Sequence, residues 1–121
     1  MDVIQIHLQG NADRFDQDNY AVPSGEIFAM EITNASAAPS GEPFRATVAI
    51  SRAGDPALFT DPTRPHMWYY DASKAIFVAP SVLSPATRTV EVPALEPGRY
   101  VLQNIDSVTH PAHAAVLIVG S

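Results

Sequence analysis

The sequence predicts an all-β fold, a Greek-key two-sheet β-sandwich of about seven or eight strands. Three observations predict it. Apolar and polar residues alternate over short runs, the spacing of a strand with one buried face. Eleven prolines and six glycines are spread along the chain as punctuation between those runs. Helical periodicity is scarce. At 121 residues the chain suits one core, so residues 1–121 are expected to form one domain.

The elements follow in order. Ile4, Ile6 and Leu8 share one face of a first strand, with Val3, Gln5 and His7 on the other. Phe28, Met30 and Ile32 alternate in a second, opened by Pro23-Ser24-Gly25. Phe44, Ala46, Val48 and Ile50 alternate in a third, after the turn-rich Ala38-Pro39-Ser40-Gly41. Ala75 to Ala79 is a short apolar run, and Val90 and Val92 alternate after it. Tyr100, Leu102 and Asn104 line one face of the next strand, entered through Glu96-Pro97-Gly98. Ala114 to Val119 is apolar throughout, as a central strand would be. Residues 53–73 break the pattern with three prolines and the run His66-Met67-Trp68-Tyr69-Tyr70. That stretch is too long for a plain connector and is expected to pack as a flap or short helix.

Composition narrows the function. Thirteen acidic against seven basic residues give a net charge of −6, and Lys74 is the only lysine. Nucleic acid and anionic membranes need a basic surface, so neither is an expected partner. No apolar run approaches the length of a membrane span, and the N-terminus lacks the pattern of a signal peptide. A cytoplasmic location is therefore expected, or a periplasmic or secreted one if a leader has been trimmed. The absence of cysteine removes disulfides, thiolate metal sites and cysteine nucleophiles. No nucleophile elbow, phosphate loop or convincing carboxylate pair occurs, so a non-enzymatic role is expected and no catalytic residue is assigned.

Three segments together resemble a cupredoxin of the azurin and auracyanin kind: Ile6 to Gly25, Ser84 to Tyr100 with its Pro-Gly-x-Tyr entry, and His110 to Gly120. The resemblance covers roughly two fifths of the chain and implies the sandwich fold, not the function. The family's type 1 copper site needs two histidines and a thiolate, usually with a weak axial methionine. The resemblance places Asn104 at the thiolate position. It also finds no histidine between His7 and His66, and no methionine after His113. Only His113 stands on its motif position, so electron transfer through type 1 copper is lost.

Four groups of residues are singled out. His110 and His113 flank Pro111-Ala112, a spacing that can bring two imidazoles to one copper or zinc ion, with His66 or Asp106 as third ligand. The competing reading is a pair of solvated loop histidines. Asn104 shares the face of Tyr100 and Leu102, so its amide points inward and needs partners, expected from the Asn34–Glu42 loop. Trp68, Tyr69 and Tyr70 suit a binding surface, or a lid over one end of the sandwich. Asp13, Asp16 and Asp18 lack the glycine and glutamate of a calcium loop and read as a solvated turn.

Two functions follow. One is a cupredoxin-like module that binds a protein partner or self-associates. The other is a non-blue copper or zinc protein using His110, His113 and His66. No cofactor is demanded by the sequence.

Overall fold

The computed structural model describes residues 1–9, 14–23, 25–35, 45–106 and 114–120, with the side chains of Gln9, Arg14, Pro65 and His66 left aside. Thirteen strands run through these residues: β1 Asp2–Gln9, β2 Arg14–Phe15, β3 Asn19–Pro23, β4 Phe28–Asn34, β5 Arg45–Ala46, β6 Val48–Arg52, β7 Leu58–Asp61, β8 Arg64–Tyr70, β9 Ala75–Val78, β10 Val82–Leu83, β11 Ala86–Val92, β12 Gly98–Asn104 and β13 Ala115–Gly120. Beyond the seven strands that the apolar pattern marks, the other six are the two-residue β2, β5 and β10, the five-residue β3, and the hairpin strands β7 and β8.

Two sheets carry the architecture. One has the order β11-β4-β1-β2 and the other β3-β13-β12-β6-β9; β5 and β10 form a small pair, and β7 and β8 another. Both large sheets are mixed, because β1 pairs with β4 in parallel and β13 with β3 in parallel. Alternation fixes which face of a strand is buried but not which strand lies beside it.

The core is the set of inward positions from both sheets. Ile6, Leu8, Phe28, Met30 and Ile32 face Val48, Ile50, Tyr100, Leu102 and Leu117, all at most 2% exposed. The alternation in β1, β4 and β12 therefore reads correctly, with Ile4 only partly covered at the sheet end. Gly25 adopts φ 74, the left-handed region that glycine enters without strain, in the turn before β4. Tyr100 is buried, and its hydroxyl donates to the carbonyl oxygen of Glu96 at 2.7 Å. This tyrosine corner pins the loop entering β12, and such a bond contributes about 1 kcal/mol.

Of the two forms expected for residues 53–73, a flap or a short helix, the structure has a flap built of strands. These residues fold as the β7–β8 hairpin followed by one 3-10 turn, Ala72–Lys74. Asp61-Pro62-Thr63 supplies the hairpin turn: proline presets the turn φ, and the Asp61 carboxyl accepts the Thr63 N–H at 2.8 Å. Arg64 then closes the hairpin opposite Asp61.

Candidate functional site

Two places in the fold gather the residues that the sequence singles out. The first lies where β12 ends. Asn104 is 2% exposed, on the inward face shared with Tyr100 and Leu102. Its carboxamide oxygen accepts the Thr47 N–H at 2.9 Å and the Asp106 N–H at 3.1 Å. One side chain thus ties the end of β12 to the link between β5 and β6. Residues 36–44, in the loop expected to supply the partners of Asn104, lie outside the described residues. Asn34, at the near end of that loop, donates instead to the Val82 carbonyl at 3.0 Å.

Hydroxyls extend the same knot. The Thr47 hydroxyl donates to the Asp106 carboxyl, and its oxygen lies 2.7 Å from the Ser81 hydroxyl oxygen. Thr47 has one hydroxyl proton, committed to Asp106, so Ser81 is the donor to Thr47. Ile105 N–H also bonds the Thr47 carbonyl at 2.9 Å. Two other chain segments, residues 104–106 and the one that carries Ser81, therefore converge on Thr47.

A type 1 copper centre does not fit this arrangement. The chain has no cysteine, and the oxygen that Asn104 offers already serves two backbone donors. Among the described residues no three histidine, aspartate or glutamate side chains come together to hold a metal ion. His110 and His113 lie outside the described residues. His66 falls within β8, but its side chain is not among those described.

The second place is the aromatic hairpin. It packs on the outer face of the five-stranded sheet, where Leu58 is 1% exposed and Ala57 fully buried. The Gln103 carboxamide holds it there. Its nitrogen donates to the Leu58 carbonyl at 2.8 Å, and its oxygen accepts the Leu58 N–H at 3.2 Å. The Ser51 hydroxyl accepts the Ala57 N–H at 3.2 Å beside it. Gln103 is buried on the face opposite Asn104, a position that alternation assigns to solvent. Sequence reasoning missed this residue; the signal was a twenty-residue excursion that had to pack on something.

Leu58, Thr60, Trp68 and Tyr70 form one face of the hairpin through the pairs Leu58–Tyr70 and Thr60–Trp68. Phe59 and Tyr69 pair on the other, their rings stacked at 6.0 Å. Lys74 lies 4.7 Å from the Phe59 ring centre and Arg64 lies 5.8 Å from that of Tyr69. Trp68 and Tyr69 are half-buried, whereas Met67 and Tyr70 are about 40% exposed. The hairpin is thus a cover over Gln103 that still presents apolar surface outward. At its ends, the Thr63 hydroxyl and N–H hold the Asp61 carboxyl below the usual carboxylate range, and those of Ser73 do the same for Asp71.

Of the three aspartates singled out in the sequence, Asp16 is structural. Asp16 accepts the Tyr20 hydroxyl at 2.6 Å and the His7 N–H at 3.1 Å, so it braces β1 against β3. Burial first, and then the bond to Asp16, push the Tyr20 hydroxyl well above its ordinary pKa. Asp13 lies outside the described residues. No helix among the described residues is long and apolar enough to cross a membrane.

No family model and no curated protein matches this sequence. Solved structures do match. The reduced auracyanin of Roseiflexus castenholzii is 21% identical, with 100% of this chain and 98% of that one covered and a TM-score of 0.67. Auracyanin A of Chloroflexus aurantiacus, described as a "blue" copper protein, is 19% identical over 98% of each chain, with a TM-score of 0.68. A purple cupredoxin of Nitrosopumilus maritimus is 13% identical over 96% of this chain and 98% of its own, with a TM-score of 0.56.

Proposed function

Starting from a chain built on the cupredoxin fold, we propose that it is a binding or assembly module that does not transfer electrons through type 1 copper. Asn104 carries this reading. At the position that the family resemblance gives to the copper thiolate, a buried amide joins β12 to Thr47 and Asp106 by hydrogen bonds. The end of the sandwich is then closed without a metal.

The proposed docking surface is the hairpin around Trp68, Tyr69 and Tyr70, and the proposed partner is a protein or a second copy of the chain. Aromatic and methionine side chains are the residues that interfaces favour. Trp68 is the only tryptophan, so its fluorescence reports on this surface alone. Raising the protein concentration should produce a dimer in sedimentation, with Trp68 growing less accessible to acrylamide. Met67→Lys and Tyr70→Lys together should weaken that association at least about tenfold, given ~1.5–3 kcal/mol per buried apolar side chain. A monomer at every concentration, with Trp68 equally quenchable throughout, would contradict assembly through the hairpin.

A second reading is kept for the His110-x-x-His113 spacing, in the stretch of sequence between Asp106 and Ala114. Here the chain would be a non-blue copper or zinc binder, with His66 as further ligand. It requires that Cu(II) or Zn(II) raise the melting temperature and that His113→Ala remove the rise. Either reading is compatible with the cytoplasm or, behind a leader, the periplasm or cell exterior.

A further inference from the structure

Among the described residues β11 is an outer strand of the four-stranded sheet, paired with β4 through an unbroken register from Ala86–Asn34 to Val92–Phe28. Exposed edges are usually blunted by charged side chains, proline, a bulge or shortness. The other outer strands follow that rule: β2 has two residues, β3 ends on Pro23, and β9 has four residues and a register break against β6. β11 has seven residues, Ala-Thr-Arg-Thr-Val-Glu-Val, without proline, a bulge or shortness, and its charges are one of each sign, Arg88 and Glu91. Among the described residues, nothing pairs with its outer side.

Open hollows lie at both ends of this edge. One, of about 410 Å³, is lined by Val82, Leu83, Ala86 and Arg88 among others. The second, of about 420 Å³, is lined by Ile27, Glu91, Val92 and Pro93 with Ala94. Arg88 and Glu91 are exposed, and neither joins an ion pair among the described residues.

We propose that β11 is a docking edge for an extended segment of a partner protein, with an acidic side chain opposite Arg88 and a basic one opposite Glu91. A row of unpaired backbone N–H and C=O groups is matched by another extended polypeptide, and flanking hollows select its side chains. Arg88 and Glu91 are three positions apart and so project to opposite faces. An antiparallel partner therefore reads basic-x-x-acidic.

The charges also argue against a second copy. Antiparallel pairing about a two-fold axis sets residues of the same face opposite one another. Centred on Thr89 it faces Arg88 with Val90; centred on Val90 it faces Arg88 with Val92. Centred on Arg88 or Glu91 it opposes like charges, which is destabilising. No symmetric register pairs Arg88 with Glu91.

The test uses the whole protein and a blocked heptapeptide, Val-Lys-Val-Thr-Glu-Thr-Val, followed by backbone amide shifts and titration. Shifts should concentrate in residues 86–92 and the hollows beside them. The charge-swapped peptide, Val-Glu-Val-Thr-Lys-Thr-Val, should bind about tenfold more weakly, because two attractive cross-strand pairs become repulsive. In the Arg88→Glu, Glu91→Arg double variant, whose melting temperature checks the fold, the preference should reverse. Equal binding of both peptides, shifts centred elsewhere, no binding of either at millimolar concentration, or self-pairing through residues 86–92 would each overturn the proposal.

Discussion

Replacing Asn104 by leucine, close in size but without polar atoms, should destabilise the protein by roughly 4 kcal/mol. The melting temperature should fall by about 15 °C in a chain of this length. The expectation comes from the groups left behind. Thr47 is 8% exposed, and its N–H loses an acceptor that water cannot readily replace. The Asp106 N–H loses the same acceptor, though Asp106 is exposed and part of that loss is recovered from solvent. The Thr47 hydroxyl bonds to Asp106 and Ser81 then rest on a segment no longer fixed from beneath. An unsatisfied buried donor costs about 1–3 kcal/mol, and the loosened network adds to it. Chemical denaturation would read the change as a lower midpoint at constant slope. A loss below about 1 kcal/mol would mean that Asn104 does not close this end of the sandwich.

Gln103→Met should cost roughly 3 kcal/mol, by a different route and with a different signature. The substitution keeps side-chain volume on the outer face but strips both bonds to the Leu58 backbone, leaving a donor and an acceptor buried without partners. The hairpin then rests on Leu58, Ala57 and the Ser51 hydroxyl. Opening should begin locally, so Trp68 emission should shift to the red and acrylamide access should rise well before the core unfolds. In the Asn104 variant, by contrast, Trp68 should change only with global unfolding. Coincident transitions by both probes in Gln103→Met would show that the hairpin is not held independently.

These two amides also mark how far the sequence could be read. Strand positions and their buried faces were legible because period-2 alternation reflects burial on one side, as in Ile6–Leu8, Phe28–Met30–Ile32 and Tyr100–Leu102–Asn104. The inward amide of Asn104 followed from the same parity. The partners of its oxygen did not, because Thr47 is far away in sequence and the bond uses its backbone, which carries no compositional signal. Gln103, Ser51 and Ala49 violate the alternation, since a second layer covers the outer face over them. The aromatic run from Met67 to Tyr70 was visible, but not its strand conformation. Three prolines nearby weakened the alternation, and the hairpin is fixed by the Asp61 turn and by docking onto Gln103. The parallel pairs β1–β4 and β3–β13 were not legible either, because pairing partners depend on global topology.

The measurement that bears most directly on a sandwich held shut by an amide is its melting temperature in saturating Cu(II), in saturating Zn(II) and in chelator. Closure by Asn104 predicts the same value in all three, and the same large drop on Asn104→Leu in each. A melting temperature that climbs with either ion and collapses in chelator would contradict it, and would place the stabilising contacts at a metal held by His110 and His113.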